Sequence, residues 1–288
     1  MEPIIMRHIL RLKELERGGK PLPRVGVTGS RLLVLSQAEE LLLTIASQED
    51  GSVRCLPMED PEREIHFIQA LPQNRWLLVS AFSEAEEANA FLYDDEGRLH
   101  TSFHAGDGIE DVQAVEDRIW IGYMEDGIAG EDSLSGHGAV CLDLEGRLLF
   151  SYRDAAQRQG LPEVRDCYGL NACPDGETWL YYYTDHLLAR IIDSRVKQFW
   201  KGGAVLSWRS PLVQAGGFAC FQRQLLFATP GRELYRASLN RVTLERVRPI
   251  DGQGEEIRFD RYWTRDSRLF LSAGAEVYIH DMKETGWG

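Results

Sequence analysis

The sequence lacks a long apolar segment, and this absence argues against a membrane protein. No stretch approaches the roughly 18 consecutive apolar residues of a transmembrane helix. Charged residues also interrupt the apolar ones of Met1–Arg11 too early for a secretory signal peptide. We therefore expect a cytoplasmic protein without a membrane partner.

Cysteine is scarce, which argues against a disulfide framework or a zinc cluster. The chain has five cysteines, an odd number, and no pair has the C-x-x-C spacing. They are Cys55, Cys141, Cys167, Cys173 and Cys220. Most of them lie beside apolar residues, so we expect buried free thiols.

Basic residues are outnumbered, with 32 Lys and Arg against 45 Asp and Glu and a net charge of −13. Non-specific nucleic-acid binding requires a basic surface that displaces phosphate counterions, so we expect no nucleic-acid partner. An apolar fraction of 43% with 10% aromatic residues is typical of a globular chain and excludes a disordered one.

One pattern of alternating apolar runs and Gly-containing turns repeats along the chain. Asp94-Asp-Glu-Gly-Arg-Leu99 has a near copy at Asp143-Leu-Glu-Gly-Arg-Leu148, and alternating runs flank both copies. Such a turn between alternating runs indicates a β-hairpin. Groups of four runs recur about every 40 to 55 residues, the period of four-stranded propeller blades. We predict an all-β fold, a six-bladed β-propeller with four antiparallel strands per blade; five or seven blades are alternatives.

The last repeat unit has only three apolar runs, so closing the ring requires a further strand. The segment Ile4–Leu12 is apolar and precedes the first unit, and we predict that this N-terminal strand closes the last blade. An amphipathic helix through Leu10 and Leu15 is an alternative. In the first blade, a helix capped by Ser36 is a second alternative.

A length of 288 residues would fit two domains of about 150 residues, but all-β folds of this size are often one domain. No low-complexity linker divides the chain, so we expect a single domain over residues 1–288. Residues 153–165 break the strand pattern, and we interpret them as a surface insertion.

Strand polarity predicts which loops of a propeller share a face. If strands a to d alternate in direction outward from the axis, the b–c loops and the d–a connections open on one face. In the third and fourth blades these segments are acidic. The carboxylates expected there are Asp107, Glu110, Asp111, Glu125, Asp126, Glu131, Asp132, Asp166 and Asp185.

Tyrosine, histidine and asparagine accompany these carboxylates. Tyrosines would supply apolar contact and hydroxyl groups to a ligand, and carboxylates would select a cation or a basic group. The predicted ligand-binding residues are Asp107, Glu110, Asp111, Tyr123, Glu125, Asp126, His137, Asp166, Tyr168, Asn171, Tyr183, Asp185 and His186.

Oxygen-rich clusters suit hard cations such as Ca²⁺ or Mg²⁺, which makes Asp107, Glu110, Asp111 and Asp166 candidate metal ligands. Their spacing matches no EF-hand loop, so the sequence establishes no cofactor and leaves Ca²⁺ or Mg²⁺ as candidates. Crowded carboxylates would also raise one another's pKa and provide an acid–base group. The alternative is that Asp and Gly simply form exposed turns.

The repeat resembles the β-propeller superfamily over nearly the whole chain. Four blocks also resemble segments of bacterial six-bladed propeller proteins of unassigned function. They lie at residues 106–113, 120–130, 166–171 and 182–187. The resemblance implies a bacterial propeller and brings no activity. The Gly-His and Trp-Asp pairs of WD40 repeats are absent, and the motifs match neither the calcium-dependent lactonase propellers nor streptogramin lyase.

These observations predict a binding module whose acidic, Tyr-containing face around the central axis takes a protein or a small-molecule ligand. The alternative is a metal-dependent hydrolase or lyase at the same mouth. In that case His186, with Asp185 beside it, would act as the base. The sequence leaves open whether the protein is an enzyme.

Overall fold

The computed structural model describes residues 1–12, 24–29, 31–37, 40–47, 49, 51–84, 87–201, 211–212 and 215–285. These residues form six β-sheets arranged as the blades of a propeller. The predicted all-β class, the blade count and the four antiparallel strands per blade are therefore confirmed.

The chain begins with two short strands, β1 (Glu2–Ile5) and β2 (Arg7–Arg11). Each of the first four blades is one consecutive stretch of four strands. Blade 1 contains β3 (Arg24–Thr28), β4 (Arg31–Gln37), β5 (Leu41–Ser47) and β6 (Val53–Pro57). Blade 2 contains β7 (Phe67–Leu71), β8 (Arg75–Val79), β9 (Ala90–Tyr93) and β10 (Leu99–Phe103). Blade 3 contains β11 (Ile109–Val115), β12 (Arg118–Tyr123), β13 (Ala139–Leu142) and β14 (Leu148–Ser151).

Blades 4 to 6 complete the ring. Blade 4 contains β15 (Asp166–Ala172), β16 (Glu177–Tyr183), β17 (Leu187–Ile192) and β18 (Arg195–Trp200). Blade 5 contains β19 (Phe218–Phe221), β20 (Gln224–Ala228), β21 (Leu234–Ser238) and β22 (Thr243–Ile250). Blade 6 contains β23 (Arg261–Arg265), β24 (Arg268–Ala273) and β25 (Glu276–Asp281).

The N-terminal segment closes the last blade, as predicted, but it does so as two strands. β2 pairs antiparallel with β25 and supplies the fourth strand of blade 6. β1 pairs parallel with β22 and adds a fifth strand to blade 5. Met6 lies between the two strands and is fully buried. The helix alternative is wrong for Leu10, which lies in β2; Leu15 lies outside the described residues.

The helix alternative in blade 1 is also wrong where the structure describes the chain. Ser36 lies within β4, and the next strand, β5, begins at Leu41. Residues 38–39, between these strands, lie outside the described residues.

Apolar packing between blades holds the ring together. Each of six buried apolar clusters joins two neighbouring blades, so the interior sheet surfaces are covered on both sides. Trp76, Trp120 and Trp179 occupy the second strands of three successive blades and are at most 5% exposed. They lie in three different clusters, and each therefore packs between two neighbouring blades.

The two sequence copies noted above form the same hairpin turn. Asp94 Oδ1 accepts hydrogen bonds from the backbone N–H groups of Glu96 and Arg98, at 2.9 and 3.0 Å. Asp143 repeats this arrangement in the next blade. Gly97 has a φ of 82° in this turn, a conformation that glycine adopts without strain.

Two short helices depart from the strand pattern, and both lie between strands of blades 3 and 4. α1 (Glu125–Ala129) lies in the long loop between β12 and β13. α2 (Tyr152–Gln159) overlaps the predicted insertion and buries Ala155 and Ala156 against the core. Among the described residues, no helix is long and apolar enough to cross a membrane.

All five cysteines are free thiols. Four of them are buried, but Cys55, which lies in β6 at the outer edge of blade 1, is exposed. The expectation of buried thiols was therefore wrong for Cys55.

Candidate functional site

Hydrogen bonds join the acidic loops of neighbouring blades at one end of the ring. The Ser83 backbone N–H, between β8 and β9, donates to Asp107 Oδ1 at 2.9 Å. The Glu125 backbone N–H donates to Asp166 Oδ1 at 3.2 Å. We call this end, formed by the b–c loops and the d–a connections, the upper face.

Two β-bulges change the direction of side chains on the inner strands of blades 3 and 4. The register of β11 with β12 shifts between Ile109 and Asp111, which makes Glu110 the extra residue. The corresponding shift in β15 makes Tyr168 the extra residue. The inner strand pairs of the other four blades have regular registers. A bulge disturbs the alternation of side chains at this point, and the consecutive residues Glu110 and Asp111 both line the axial channel.

The channel holds a cavity of about 370 Å³ at the upper end, which we call the upper chamber. Inner strands of four blades line it. The side chains that give it chemical character are Arg24, His66, Glu110, Asp111, Arg261, Tyr262 and Trp263. The chamber therefore brings carboxylates, cationic groups and aromatic rings together in one space.

A buried polar layer forms the floor of the upper chamber. Arg265 donates from Nε to the Val27 carbonyl oxygen at 3.2 Å and from Nη1 to Gln113 Oε1 at 3.0 Å. Its Nη2 also donates to Gln69 Oε1. Arg265 lines a second cavity of about 400 Å³ on the lower side, so this layer separates the two cavities.

The two carboxylates of the chamber have raised pKa values. The Glu110 side chain is accessible to solvent, yet the channel walls surround it. This desolvation, with the charges of Asp111 and Asp166, raises the pKa of Glu110 to about 7. Burial also raises the pKa of Asp111, although the Leu170 N–H, at 3.1 Å from Oδ2, opposes that shift. Among the described residues, Glu110 has neither a hydrogen bond nor an ion pair.

The chamber residues of blades 1, 2 and 6 were not among those predicted from the sequence. Strand polarity places the first residue of every inner strand at the upper end. The same rule therefore predicts that Arg24 and Arg261, the first residues of β3 and β23, lie there. The prediction was instead based on acidic segments, and these are concentrated in blades 3 and 4. The partners of Arg265 could not be found in this way, because Gln69 lies 196 residues away in sequence.

The predicted residues of blades 3 and 4 that lie outside the chamber form an acidic aromatic rim. Tyr168 stacks on His186 with ring centroids 5.9 Å apart, and Tyr183 meets the same imidazole edge-on at 5.7 Å. Burial and then the charge of Asp166 raise the pKa of Tyr168 to about 12. The remaining members of the rim are Glu125, Asp126, Asp166 and the exposed Asp185.

His186 differs from an exposed catalytic histidine in its surroundings. It is 7% exposed, and its Nδ1 is buried without a hydrogen-bond partner among the described residues. Burial lowers its pKa, and Asp185 opposes that shift. His186 therefore packs as a neutral ring between two tyrosines.

Four other predicted residues use their polar atoms within the fold. Tyr123 is fully buried and donates its hydroxyl to the Ala105 carbonyl oxygen at 2.7 Å. His137 Nδ1 is 2.8 Å from the hydroxyl of Ser151. Asp107 accepts from Ser83, as described above, and the side-chain partners of Asn171 within the described residues are backbone groups of blades 5 and 6 and Cys173. The structure does not bring these four side chains into the upper chamber.

A serine, a histidine and an aspartate lie together near the rim, but their geometry does not suit nucleophilic catalysis. His104 Nε2 is 2.5 Å from Asp132 Oδ2, whereas His104 Nδ1 is 3.1 Å from the Glu87 carbonyl oxygen. The Ser83 hydroxyl donates to that same carbonyl at 2.8 Å and is 3.5 Å from His104 Nδ1. Since Nδ1 is already bonded to Glu87, it cannot accept the proton of Ser83.

Neither these clusters nor the rest of the described chain contains three His, Cys, Asp or Glu side chains placed to hold a metal ion. Asp107 and Asp166 bind backbone N–H groups of neighbouring loops, while Glu110 and Asp111 face the channel. The four predicted metal ligands are therefore divided between loop contacts and the chamber.

Comparison with known proteins supports the fold and finds similarity to one family model over part of the chain. No curated protein matches the sequence. A solved structure of streptogramin B lyase is similar, with a TM-score of 0.54 and 9% identity over 95% of this chain and 96% of the other. A catalytically inactive variant of virginiamycin B lyase from Staphylococcus aureus, with quinupristin, has a TM-score of 0.54 and 10% identity over 95% and 98%.

The structural similarity establishes a shared fold. Because the sequence identity is so low, it carries no activity to this chain. It also agrees with the absence of lyase motifs from the sequence. The model of the YxzG family matches residues 139–280, which include β13 and β14 of blade 3, all four strands of blade 4, β19 to β22 of blade 5, and β23, β24 and most of β25 of blade 6. The chain is thus a six-bladed β-propeller with YxzG-family similarity in its second half.

Proposed function

We propose that the protein is a binding module whose upper chamber takes a small polar molecule with a cationic nitrogen group. The observation that carries this proposal is the placement of Glu110 and Asp111 side by side in the channel. Neither carboxylate is within ion-pair distance of a basic side chain among the described residues. A cation between them would relieve their mutual repulsion and favour their ionised forms.

The dimensions of the chamber support a small ligand. A volume of about 370 Å³ lies at the lower end of the range of about 300 to 1,000 Å³ for small-molecule pockets. Trp263 and Tyr262 offer aromatic surface for the apolar part of a ligand, and an ammonium or guanidinium group gains further from an aromatic face.

The acidic aromatic rim would guide a cationic ligand toward the chamber. Asp166 pairs with the exposed Tyr183 across β15 and β16, the backbone N–H of Glu125 donates to Asp166, and the exposed Asp185 lies two residues after Tyr183. Charges of one sign around a cleft raise the local concentration of oppositely charged ligands. A basic protein segment would instead contact the rim alone, and its affinity would not depend on the chamber residues.

Titration calorimetry with agmatine, a small diamine-like cation, tests the proposal. We expect saturable binding that Glu110→Gln with Asp111→Asn weakens by about tenfold or more, because charged contacts are lost. Glu131→Gln is the matched control, since Glu131 is exposed near the upper face and has no partner in the described chain. Equal affinity in all three proteins would refute cation binding in the chamber.

A second candidate function is acid–base catalysis in the same chamber. Glu110 favours it, because a pKa of about 7 suits proton transfer near neutral pH. The metal-dependent form of this alternative predicts a clear rise in melting temperature with Ca²⁺ or Mg²⁺ that EDTA reverses. An unchanged melting temperature would favour the metal-free binding module.

A further inference from the structure

Arg265 carries a buried positive charge that only neutral groups contact directly. Its side chain is 6% exposed, and its three hydrogen-bond acceptors are the Val27 carbonyl and two glutamine amides. No carboxylate of the described chain is within ion-pair distance of its guanidinium. Burying a charge without a direct counter-ion is unfavourable, so this arrangement is either compensated at a distance or completed by a ligand.

The compensation at a distance comes from Asp111 and is indirect. Gln113 connects the two groups: its Oε1 accepts from Arg265 at 3.0 Å, and its Nε2 is 3.3 Å from Asp111 Oδ2. Burial lowers the pKa of Arg265 to about 10 even though the charge of Asp111 opposes that shift. At this pKa the guanidinium remains protonated at neutral pH, so it can attract an anion.

Some hydrogen-bond donors of Arg265 and Gln69 at the floor have no partner among the described residues. A guanidinium has five N–H groups, and the three hydrogen bonds of Arg265 use three of them. Gln69 accepts through Oε1 from Arg265 and from the Ala114 N–H, while its Nε2 has no partner among the described residues. A planar oxygen pair, as in a carboxylate, matches this set of donors.

Donors and acceptors in the chamber are thus separated by height. Arg265 and Gln69 present donors at the floor, and Glu110 and Asp111 present acceptors on the wall above. We propose, on the basis of the function proposed above, that the ligand is zwitterionic, with an α-amino-acid head group. Its carboxylate binds Arg265 and its ammonium group lies against Glu110 and Asp111, while the remainder points toward Trp263.

A comparison of L-arginine with agmatine, which differs from it by the missing carboxylate, tests this inference. The unmodified protein should bind L-arginine about 10- to 100-fold more tightly, because hydrogen bonds between charged groups are the strong ones. Equal affinities would overturn the zwitterion assignment and leave the cation site intact. Failure of both compounds to bind would overturn the zwitterion assignment and the proposed function together.

A variant separates recognition by Arg265 from its structural role. Gln69→Glu keeps the acceptor for Arg265 and Ala114 but adds a carboxylate that competes with the one on the ligand. We expect this variant to melt at a higher temperature and to lose the preference for L-arginine. Gln198→Glu is the matched control, because Gln198 also accepts from arginines but lies on β18, the outer strand of blade 4.

The two glutamine variants give a clear decision. Loss of the preference in Gln69→Glu alone supports carboxylate recognition at the floor. If Gln69→Glu retains the full preference for L-arginine, Arg265 does not bind the carboxylate and the inference fails. Arg265→Lys is a second test, because it keeps the positive charge but removes the planar guanidinium group. We expect it to reduce the preference for L-arginine without abolishing agmatine binding.

Discussion

The side chain of Asn171 pairs with the backbone of Asp266 through two opposed hydrogen bonds. Asn171 Nδ2 donates to the Asp266 carbonyl oxygen at 2.8 Å, and the Asp266 N–H donates to Asn171 Oδ1 at 2.9 Å. A third bond joins Nδ2 to the Phe218 carbonyl oxygen at 2.9 Å. One fully buried amide therefore connects blades 4, 5 and 6.

Asn171→Ala should destabilise the ring by at least about 2 kcal/mol, because it leaves buried backbone groups without partners. Denaturant unfolding followed by fluorescence measures this loss. Asn240→Ala is the control, since Asn240 is exposed and has one 3.5 Å contact with Arg223. Similar losses in both variants would contradict a connecting role for Asn171.

Glu110 should make the stability of the protein depend on pH. Its pKa is about 7 in the folded state and 4.5 in the reference state, so the folded protein holds the extra proton between these values. Stability linked to Glu110 therefore falls as the pH rises from 5 to 8. Glu110→Gln removes this dependence, and its melting temperature should exceed that of the unmodified protein more at pH 8 than at pH 5.

Glu131→Gln removes the same charge from an exposed position near the same face, and its melting temperature should show no such trend. A difference for Glu110→Gln that is constant across this pH range would contradict the raised pKa. The affinity for agmatine should increase over the same range in the unmodified protein, because only the ionised Glu110 attracts the cation.

The two isoleucines of β1 allow a direct test of how the N-terminal segment packs. Ile4 is 3% exposed and belongs to the apolar cluster between blades 5 and 6, whereas Ile5 is 62% exposed. Ile4→Ala should cost about 2 to 4 kcal/mol of unfolding free energy, because it leaves a cavity. Ile5→Ala should change it by less than about 0.5 kcal/mol. Comparable effects would mean that β1 does not pack as described.

Ser135 holds the long loop between β12 and β13 against the connection from blade 2 to blade 3, which contains Asp107. Its hydroxyl lies 2.7 Å from both the N and the O of Asp107 and 3.0 Å from Asp132 Oδ1, and the side chain is fully buried. Ser135→Ala should lower the unfolding free energy by about 1 to 3 kcal/mol. The exposed Ser133, mutated to Ala in the same loop, serves as the control. Hydrogen exchange at Asp107 should increase in the first variant only.

The fold was largely predictable because its determinants are local and repeated. Asp, Gly and Arg occur at the same spacing in the turns that begin at Asp94 and Asp143, so the sequence predicts both turns. The alternating apolar and polar residues beside them predict the strands. The three-run final unit also predicted that an N-terminal strand would complete blade 6. Its division at Met6 was not predicted, since an apolar segment does not reveal which of two sheet edges each half will join.

The chamber was only partly predictable because its determinants are not local. A bulge at Glu110 results from pairing with β12, and residues flanking it give no signal in the sequence alone. Arg265 meets Gln69 and Gln113 only after three blades have assembled. Strand polarity predicted which loops share a face, whereas the distinction between a buried Tyr123 and an exposed Tyr183 required the three-dimensional packing.

The pairing of β2 with β25 has a consequence for synthesis of the chain. Arg7 leaves the ribosome long before its partner Ile279, so β2 stays unpaired until blade 6 forms, whereas β1 can already pair with β22 when blade 5 forms. Only the final stretch can lock both ends of the polypeptide together. Ring closure is therefore the last folding event, and a nascent chain halted before blade 6 would display a free edge capable of joining a neighbouring molecule.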